Sequence, residues 1–238
     1  METVLITGGA SGLGLTLVES YLKTGYRVIF TYNNSSVNYD RLDNISNNYL
    51  AIKCDLTKEE DIDNLLKEVK DIDILINNAA LEINNEFENK NKSDFIKTLN
   101  VNLIAPFLIS KEIGKKMYDN KKGIIINISS NNSIDKYNPI TLEYDASKSA
   151  LNSLTHNLAI EFAPYVRVNA VAPGWILTDK IKSLDESLNN RFIEEESKNI
   201  LLERFADPID IVNLVMFLTS DKASYINSEI IRIDGGCR

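Results

Sequence analysis

Apolar residues fall along this chain in short unbroken runs, separated by longer stretches in which they recur every three or four positions. The runs are 3–7, 26–31, 49–53, 72–76, 123–129, 166–171 and 229–233. A continuous apolar run bounded by turn residues is what a strand covered on both faces requires. Helical spacing occupies 13–24, 58–69, 92–120, 142–163 and 208–220, with a weaker, more polar helical pattern at 36–46. Buried strands alternating with amphipathic helices predict an α/β fold, a doubly wound parallel sheet of about seven strands flanked by helices. In such a sheet a ligand crevice opens beyond the carboxyl ends of the strands, where the strand order reverses. No repeat or linker interrupts the pattern, and residues 1–238 read as a single domain.

The first strand run leads into Thr7-Gly8-Gly9-Ala10-Ser11-Gly12-Leu13-Gly14, and a helical pattern follows. Glycines between a strand and a helix let the backbone approach a pyrophosphate, and the helix N-terminus offers free N–H groups and a positive dipole end. A second feature is Tyr144-Asp145-Ala146-Ser147-Lys148. Positions i and i+4 of a helix share a face. A lysine cation beside a tyrosine favours the phenolate, so the spacing predicts a lowered Tyr144 pKa and a group able to exchange a proton with a carbonyl or alcohol. Alone, that spacing describes many ordinary helix surfaces.

Charge and cysteine content narrow the function. A net charge of -8 argues against a nucleic-acid partner. No apolar run is long enough to span a membrane, and the first strand begins too close to Met1 for a signal peptide. Cys54 and Cys237 fit neither a disulfide framework nor a metal spacing, and the single histidine, His156, reads as a helix residue. The expectations are a cytoplasmic location and no metal.

Together the two motifs give the chain a resemblance to the short-chain dehydrogenase/reductase family, over nearly its whole length. The glycine spacing T-G-x-x-x-G-x-G is that family's variant, and Asn77-Asn78-Ala79-Ala80 is similar to its N-N-A-G. Asn102, Ser130, Tyr144 and Lys148 match its catalytic tetrad; Pro173-Gly174 and Thr178 match its P-G-x-x-x-T loop, and Asp234-Gly235-Gly236 its terminal D-G-G. The resemblance implies a Rossmann-type dinucleotide-binding catalytic domain. It assigns dinucleotide contacts to Gly8, Ser11, Gly12, Leu13, Gly14, Tyr32, Asn33, Asp55, Leu56, Asn78, Ala79, Tyr144, Lys148, Pro173, Gly174, Ile176 and Thr178.

It also implies a reaction: an NAD(P)(H)-dependent interconversion of a ketone and a secondary alcohol. Ser130 would bond the carbonyl oxygen, Tyr144 protonate it, Lys148 hold the nicotinamide ribose, and Asn102 anchor a water connecting Lys148 to solvent. The branch most resembled is that of 3-oxoacyl-[acyl-carrier-protein] reductases. Alternatives are a sugar, polyol or other small-alcohol dehydrogenase, and a dinucleotide-binding regulator without catalysis. For a carrier-protein partner, Lys121 and Lys122 are the candidate cations, although so acidic a chain repels acidic partners at long range. Residues 177–203 are the expected substrate lid.

Departures from the family pattern are Ala80 and Ser228, where glycine is usual, and one extra residue between Ser130 and Tyr144. Alanine resists positive φ, so a shifted turn is expected at residue 80. Surplus apolar residues on 92–120 and 142–163, among them Leu103, Ile104, Phe107, Leu108, Leu151, Leu154, Leu158 and Phe162, predict a homotetramer. Strand two runs into Tyr32-Asn33-Asn34-Ser35-Ser36 with no acid before Asp40. The carboxylate that would repel a 2′-phosphate is absent there, so NADP(H) is favoured over NAD(H), without the arginine clamp of strict NADP enzymes.

Overall fold

In the computed structural model, which describes residues 1–237, seven strands form one parallel sheet. They are β1 (Thr3–Ile6), β2 (Arg27–Tyr32), β3 (Tyr49–Lys53), β4 (Ile74–Asn77), β5 (Gly123–Ile128), β6 (Val166–Pro173) and β7 (Ile230–Ile233). Each expected apolar run contributes one strand, with ends that agree to within two residues. The order is β3-β2-β1-β4-β5-β6-β7, so chain order reverses between the neighbours β1 and β4.

Side-chain alternation splits the core into two layers. Val4 and Ile6 of β1 pack with Leu17 and Val18 of α1 (Gly12–Lys23) and with Val212 and Val215 of α9 (Pro208–Leu218). Leu5, pointing the other way, packs with Leu65 of α3 (Glu59–Glu68), Ile109 of α5 (Ala105–Asp119) and Leu158 of α6 (Leu142–Glu161). Each fully buried aliphatic side chain of this kind is worth about 1.5–3 kcal/mol. That burial on both faces is why the strands read as continuous apolar runs.

Two expectations need correction. The helix expected over 92–120 is broken into α4 (Lys92–Leu99) and α5 by a π-helical turn, Asn100–Ile104. Here the N–H of Ala105 donates to the carbonyl of Asn100, five residues back. Pro106 accounts for the break, because it has no N–H to give the carbonyl of Asn102. The weak pattern at 36–46 yields only α2 (Tyr39–Asp43), capped by the Asn38 side chain. Ala80 adopts no left-handed φ, in keeping with alanine's resistance to positive φ.

Ser228, by contrast, does occupy a glycine-like conformation at φ +66. Its hydroxyl lies 3.0 Å from Nδ1 of His156, which is an exposed residue of α6 as expected. The stretch between Ser130 and Tyr144 carries two 3-10 turns, Asn131–Ser133 and Pro139–Thr141. The surplus apolar surface is smaller than the sequence implies. Leu151, Leu158 and Phe162 are buried in the molecule's own core, and Leu103, Leu108 and Leu154 are half-buried. Only Ile104 and Phe107 of that set are exposed.

Candidate active site

The first turn is built by close approach. A Cβ on Gly14 would stand 2.0 Å from the Gly8 carbonyl oxygen and 2.7 Å from Nδ2 of Asn78, so no other residue lets α1 start this close to β1. Gly8 itself has φ +71. Thr7 and Asn78 lock the turn across the switch point. The Thr7 hydroxyl accepts from the N–H groups of Asn78 and Ala79, both at 3.0 Å, and the Asn78 amide donates to the carbonyls of Thr7 and Gly8 at 2.9 and 3.1 Å.

A cleft of about 670 Å³ opens over this turn. Of the expected dinucleotide contacts, Gly8, Ser11, Leu13 and Gly14 line it from the first turn, Tyr32 and Asn33 from the end of β2, and Asp55 and Leu56 from the end of β3. Asn78 and Ala79 line it from the end of β4, and Thr178 closes one side. Gly12, Tyr144, Lys148, Pro173, Gly174 and Ile176 do not form its wall. Sequence reasoning missed Leu81 and Val101, which do; both are apolar neighbours of motif residues and carry no signal of their own. A Cβ on Gly174 would fall 2.7 Å from Cβ of Asp234, so the P-G and D-G-G motifs also serve to pack β6 closely against β7.

The four tetrad residues converge on the carboxyl ends of β4 and β5. Ser130, 8% exposed, follows β5, and its hydroxyl accepts from the N–H of Asn132 at 3.2 Å. Tyr144 and Lys148 stand one turn apart on α6, with Nζ 5.6 Å from the tyrosine ring centroid. Nζ donates to the carbonyl of Ile128 at 2.6 Å. Asn102 is fully buried. Its side chain accepts from the N–H of Leu81 at 2.7 Å and donates to the Leu81 carbonyl at 2.9 Å and to the Ser147 hydroxyl at 3.0 Å. Asn102 therefore ties the cleft wall to the helix that carries Tyr144. Its side-chain amide is committed to protein partners.

The expected lowering of the Tyr144 pKa is contradicted. Burial pushes the phenol up, the Glu82 carboxylate adds to the rise, and the adjacent Ser130 hydroxyl only partly offsets them. Burial also pushes the Lys148 ammonium down to about 7. Both groups lose hydration, and each loss disfavours the charged form more than the pairing favours it.

Residues 177–203 carry α7 (Asp179–Ser187) and α8 (Phe192–Ser197). Phe192 meets the Trp175 ring edge-on at 5.3 Å, and Trp175 stacks on Phe205 at 5.6 Å. Lys121 and Lys122 sit before β5, at the amino end of the sheet and opposite the cleft; Lys122 reaches Glu2 at 2.5 Å and Asp73 at 3.6 Å. Neither can guide a partner to the tetrad. Among the described residues no group of His, Cys, Asp or Glu side chains could hold a metal ion, and no helix is long and apolar enough to cross a membrane.

A family profile described as enoyl-(acyl carrier protein) reductase matches residues 8–238. The chain is 36% identical to the 3-oxoacyl-[acyl-carrier-protein] reductase FabG of Rickettsia felis over 99% of its own length and 96% of the relative's. It is 33% identical to an NAD-dependent glycerol dehydrogenase of Listeria innocua, covering 99% of this chain and 93% of that one. Among solved structures, a 4-hydroxyisoleucine dehydrogenase mutant complexed with NADH and succinate superposes with a TM-score of 0.91 at 31% identity, over 99% and 98% of the two chains. A glycine turn at the switch point, a Tyr–Lys pair beside a buried serine, and full-length likeness to such enzymes lead to one conclusion: the chain is an NAD(P)-dependent oxidoreductase of the short-chain dehydrogenase/reductase family.

Proposed function

We propose that the enzyme interconverts a ketone and a secondary alcohol with Asn102, Ser130, Tyr144 and Lys148 as its catalytic set, and that it works best as a 3-oxoacyl reductase. The observation that carries this is Tyr144, a half-buried phenol whose pKa is raised, beside the Ser130 hydroxyl. The dinucleotide fits the chain's own residues: Gly8, Ser11, Leu13 and Gly14 of the first turn line the cleft, and it runs from them to Leu81 beside Asn102. When bound, the nicotinamide supplies or takes the hydride. Ser130 donates a hydrogen bond to the substrate oxygen and Tyr144 donates its proton there as negative charge develops. A phenol held protonated is ready for the reductive direction. Lys148 holds the nicotinamide ribose hydroxyls, and Asn102 anchors a water through which the proton is replaced.

NADP(H) is favoured over NAD(H). In support, the cleft at the end of β2 is lined by Tyr32, Asn33, Asn34 and Ser35, none of them acidic. Arg41, the first guanidinium after β2 along the chain, is paired with Glu19 and is not free to clamp a phosphate. The substrate is a small molecule, the assembly a homotetramer, the location cytoplasmic, and residues 177–203 a lid over the substrate. A polyol dehydrogenase is the second reading, favoured by the opposite-end placement of Lys121 and Lys122. Loss of NADPH absorbance with a 3-oxoacyl thioester, run beside glycerol and gluconate oxidations, tests the choice. Turnover of polyols alone would reverse it.

A further inference from the structure

Lys90 belongs to no motif, yet its side chain is only 12% exposed. The ammonium donates to the carbonyls of Ile83 at 3.2 Å and Ile140 at 2.5 Å, and it reaches both carboxylate oxygens of Glu143, at 3.0 and 2.7 Å. Glu143 is 1% exposed and directly precedes Tyr144. The partners come from three places: the β4–α4 connection, the 3-10 turn before α6, and the first turn of α6.

Stability is a poor explanation for such a pair. Dehydrating two charges costs about what their attraction returns, and apolar replacements of similar volume are often neutral or better. What the pair supplies is geometry. The segment 81–90 is anchored at its start, where Asn102 bonds both backbone groups of Leu81, and again at Ile83 and Lys90. Glu82 lies between the anchors, held where its charge acts on the phenol of Tyr144.

We propose that Lys90 and Glu143 are positioning residues: a buried ion-pair clamp that fixes the segment carrying Leu81 and Glu82 against the catalytic tyrosine. The inference rests on the assignment of Tyr144 above. The charged and titratable groups facing Tyr144 are Glu82 from this segment and Asp145 and Lys148 from its own helix, with the Ser130 hydroxyl opposite.

The test compares Lys90→Met/Glu143→Gln, which leaves no buried charge unpaired, with Lys90→Arg and Glu82→Gln. In the double variant kcat should fall about ten- to hundredfold, as for a misplaced reacting group. The pH midpoint assigned to Tyr144 should move down as the repulsion from Glu82 relaxes, and NADPH affinity by fluorescence should stay unchanged. Lys90→Arg keeps charge and donors and should restore most of kcat. Glu82→Gln alters an exposed residue, folds regardless, and should move the midpoint the same way. An unmoved midpoint in Glu82→Gln, or wild-type kcat and midpoint in a folded double variant, overturns the proposal. An active Tyr144→Phe would overturn the underlying assignment instead, so the two failures are distinguishable.

Discussion

The two walls of the crevice are built by different means. The wall formed by the turns after β1, β2 and β4 is held by main-chain groups and short polar side chains: Thr7, Asn78, and glycines whose Cβ positions are occupied. The wall facing the substrate is held by side chains that reach partners far away in sequence, Asn102 to the backbone of Leu81, Lys90 to Glu143, and Arg232 to Asp135. The first kind of wall suits a ligand that is the same in every relative, because backbone geometry admits few solutions. The second can be re-cut one side chain at a time. Relatives as different as a 3-oxoacyl reductase and a glycerol dehydrogenase fit that division.

The largest expected effect separates the walls cleanly. Tyr144→Phe removes one hydroxyl from the substrate side and nothing from the glycine turn. kcat should fall about a hundredfold or more, as for a lost general acid, with dinucleotide affinity largely intact. A variant that keeps most of its turnover would sink the role of Tyr144. A variant that also loses dinucleotide affinity would show that the walls are not independent.

What could be read from the sequence follows the same division. The glycine turn and seven strands were legible because they depend on local chemistry: absent side chains, and apolar runs buried on two faces. The tetrad was legible only through family spacing, and its electrostatics were not. The Y-x-x-x-K spacing pointed to a lowered tyrosine pKa, but burial, a property of the folded surroundings, set the opposite sign. The π-helical turn needed Pro106 to be read against Asn102 four positions earlier, which a periodicity in apolar residues does not do. The Lys90–Glu143 pair lies 53 residues apart in sequence and left no mark at all.

Gly14→Ala attacks the other wall. Its Cβ would collide with the Gly8 carbonyl at 2.0 Å, and backbone cannot step aside as a flexible side chain would. Overpacking of this kind costs about 1–3 kcal/mol of stability. Displacing α1 from the turn should raise the dinucleotide Kd about a hundredfold, or roughly 2.7 kcal/mol. Titration by fluorescence measures this, and an unchanged Kd would mean that the close approach is not needed for binding.

The next prediction concerns Lys148, which is buried one helical turn from Tyr144. Its ammonium falls from an ordinary 10.5 to about 7 on burial. Between those values the unfolded chain binds more protons than the folded one, so this group makes stability rise with pH there, by up to about 1.4 kcal/mol per unit, and adds no slope below pH 7. Cys54 and Tyr144, both raised by burial, act only above their own unfolded values and in the opposite direction. Denaturation between pH 7 and 8.5, without added dinucleotide, therefore isolates the lysine. Lys148→Met should flatten the rise and be the more stable protein at pH 7. Parallel curves for the two proteins would mean that the ammonium keeps its hydration.

The smallest effect expected is in the choice of dinucleotide, which the first wall decides with neutral groups. Asn33, Asn34 and Ser35 offer amides and a hydroxyl to a 2′-phosphate, and the Ser11 and Ser35 hydroxyls lie 3.4 Å apart at the rim. The cleft does contain one carboxylate, Asp55, but it is occupied: the hydroxyl and N–H of Thr57 donate to it at 2.7 and 3.0 Å. Those bonds hold its pKa below the usual carboxylate range, so it stays an anion at the end of β3 rather than of β2. Arg41 is engaged by Glu19 and does not make the charge-assisted bonds worth about 1.5–3 kcal/mol each. Neutral bonds at about 0.5–1.5 kcal/mol each leave a net advantage of roughly 1–2 kcal/mol for NADPH, or a preference near ten- to thirtyfold. Paired titrations with NADPH and NADH measure it. Replacing Asn33 with Asp should reverse the order, since a carboxylate there repels the phosphate and accepts from the ribose 2′-hydroxyl. Tighter NADH binding by the unmodified enzyme would show that Asp55 governs the choice, and that even the wall built mainly from backbone takes its selectivity from a side chain.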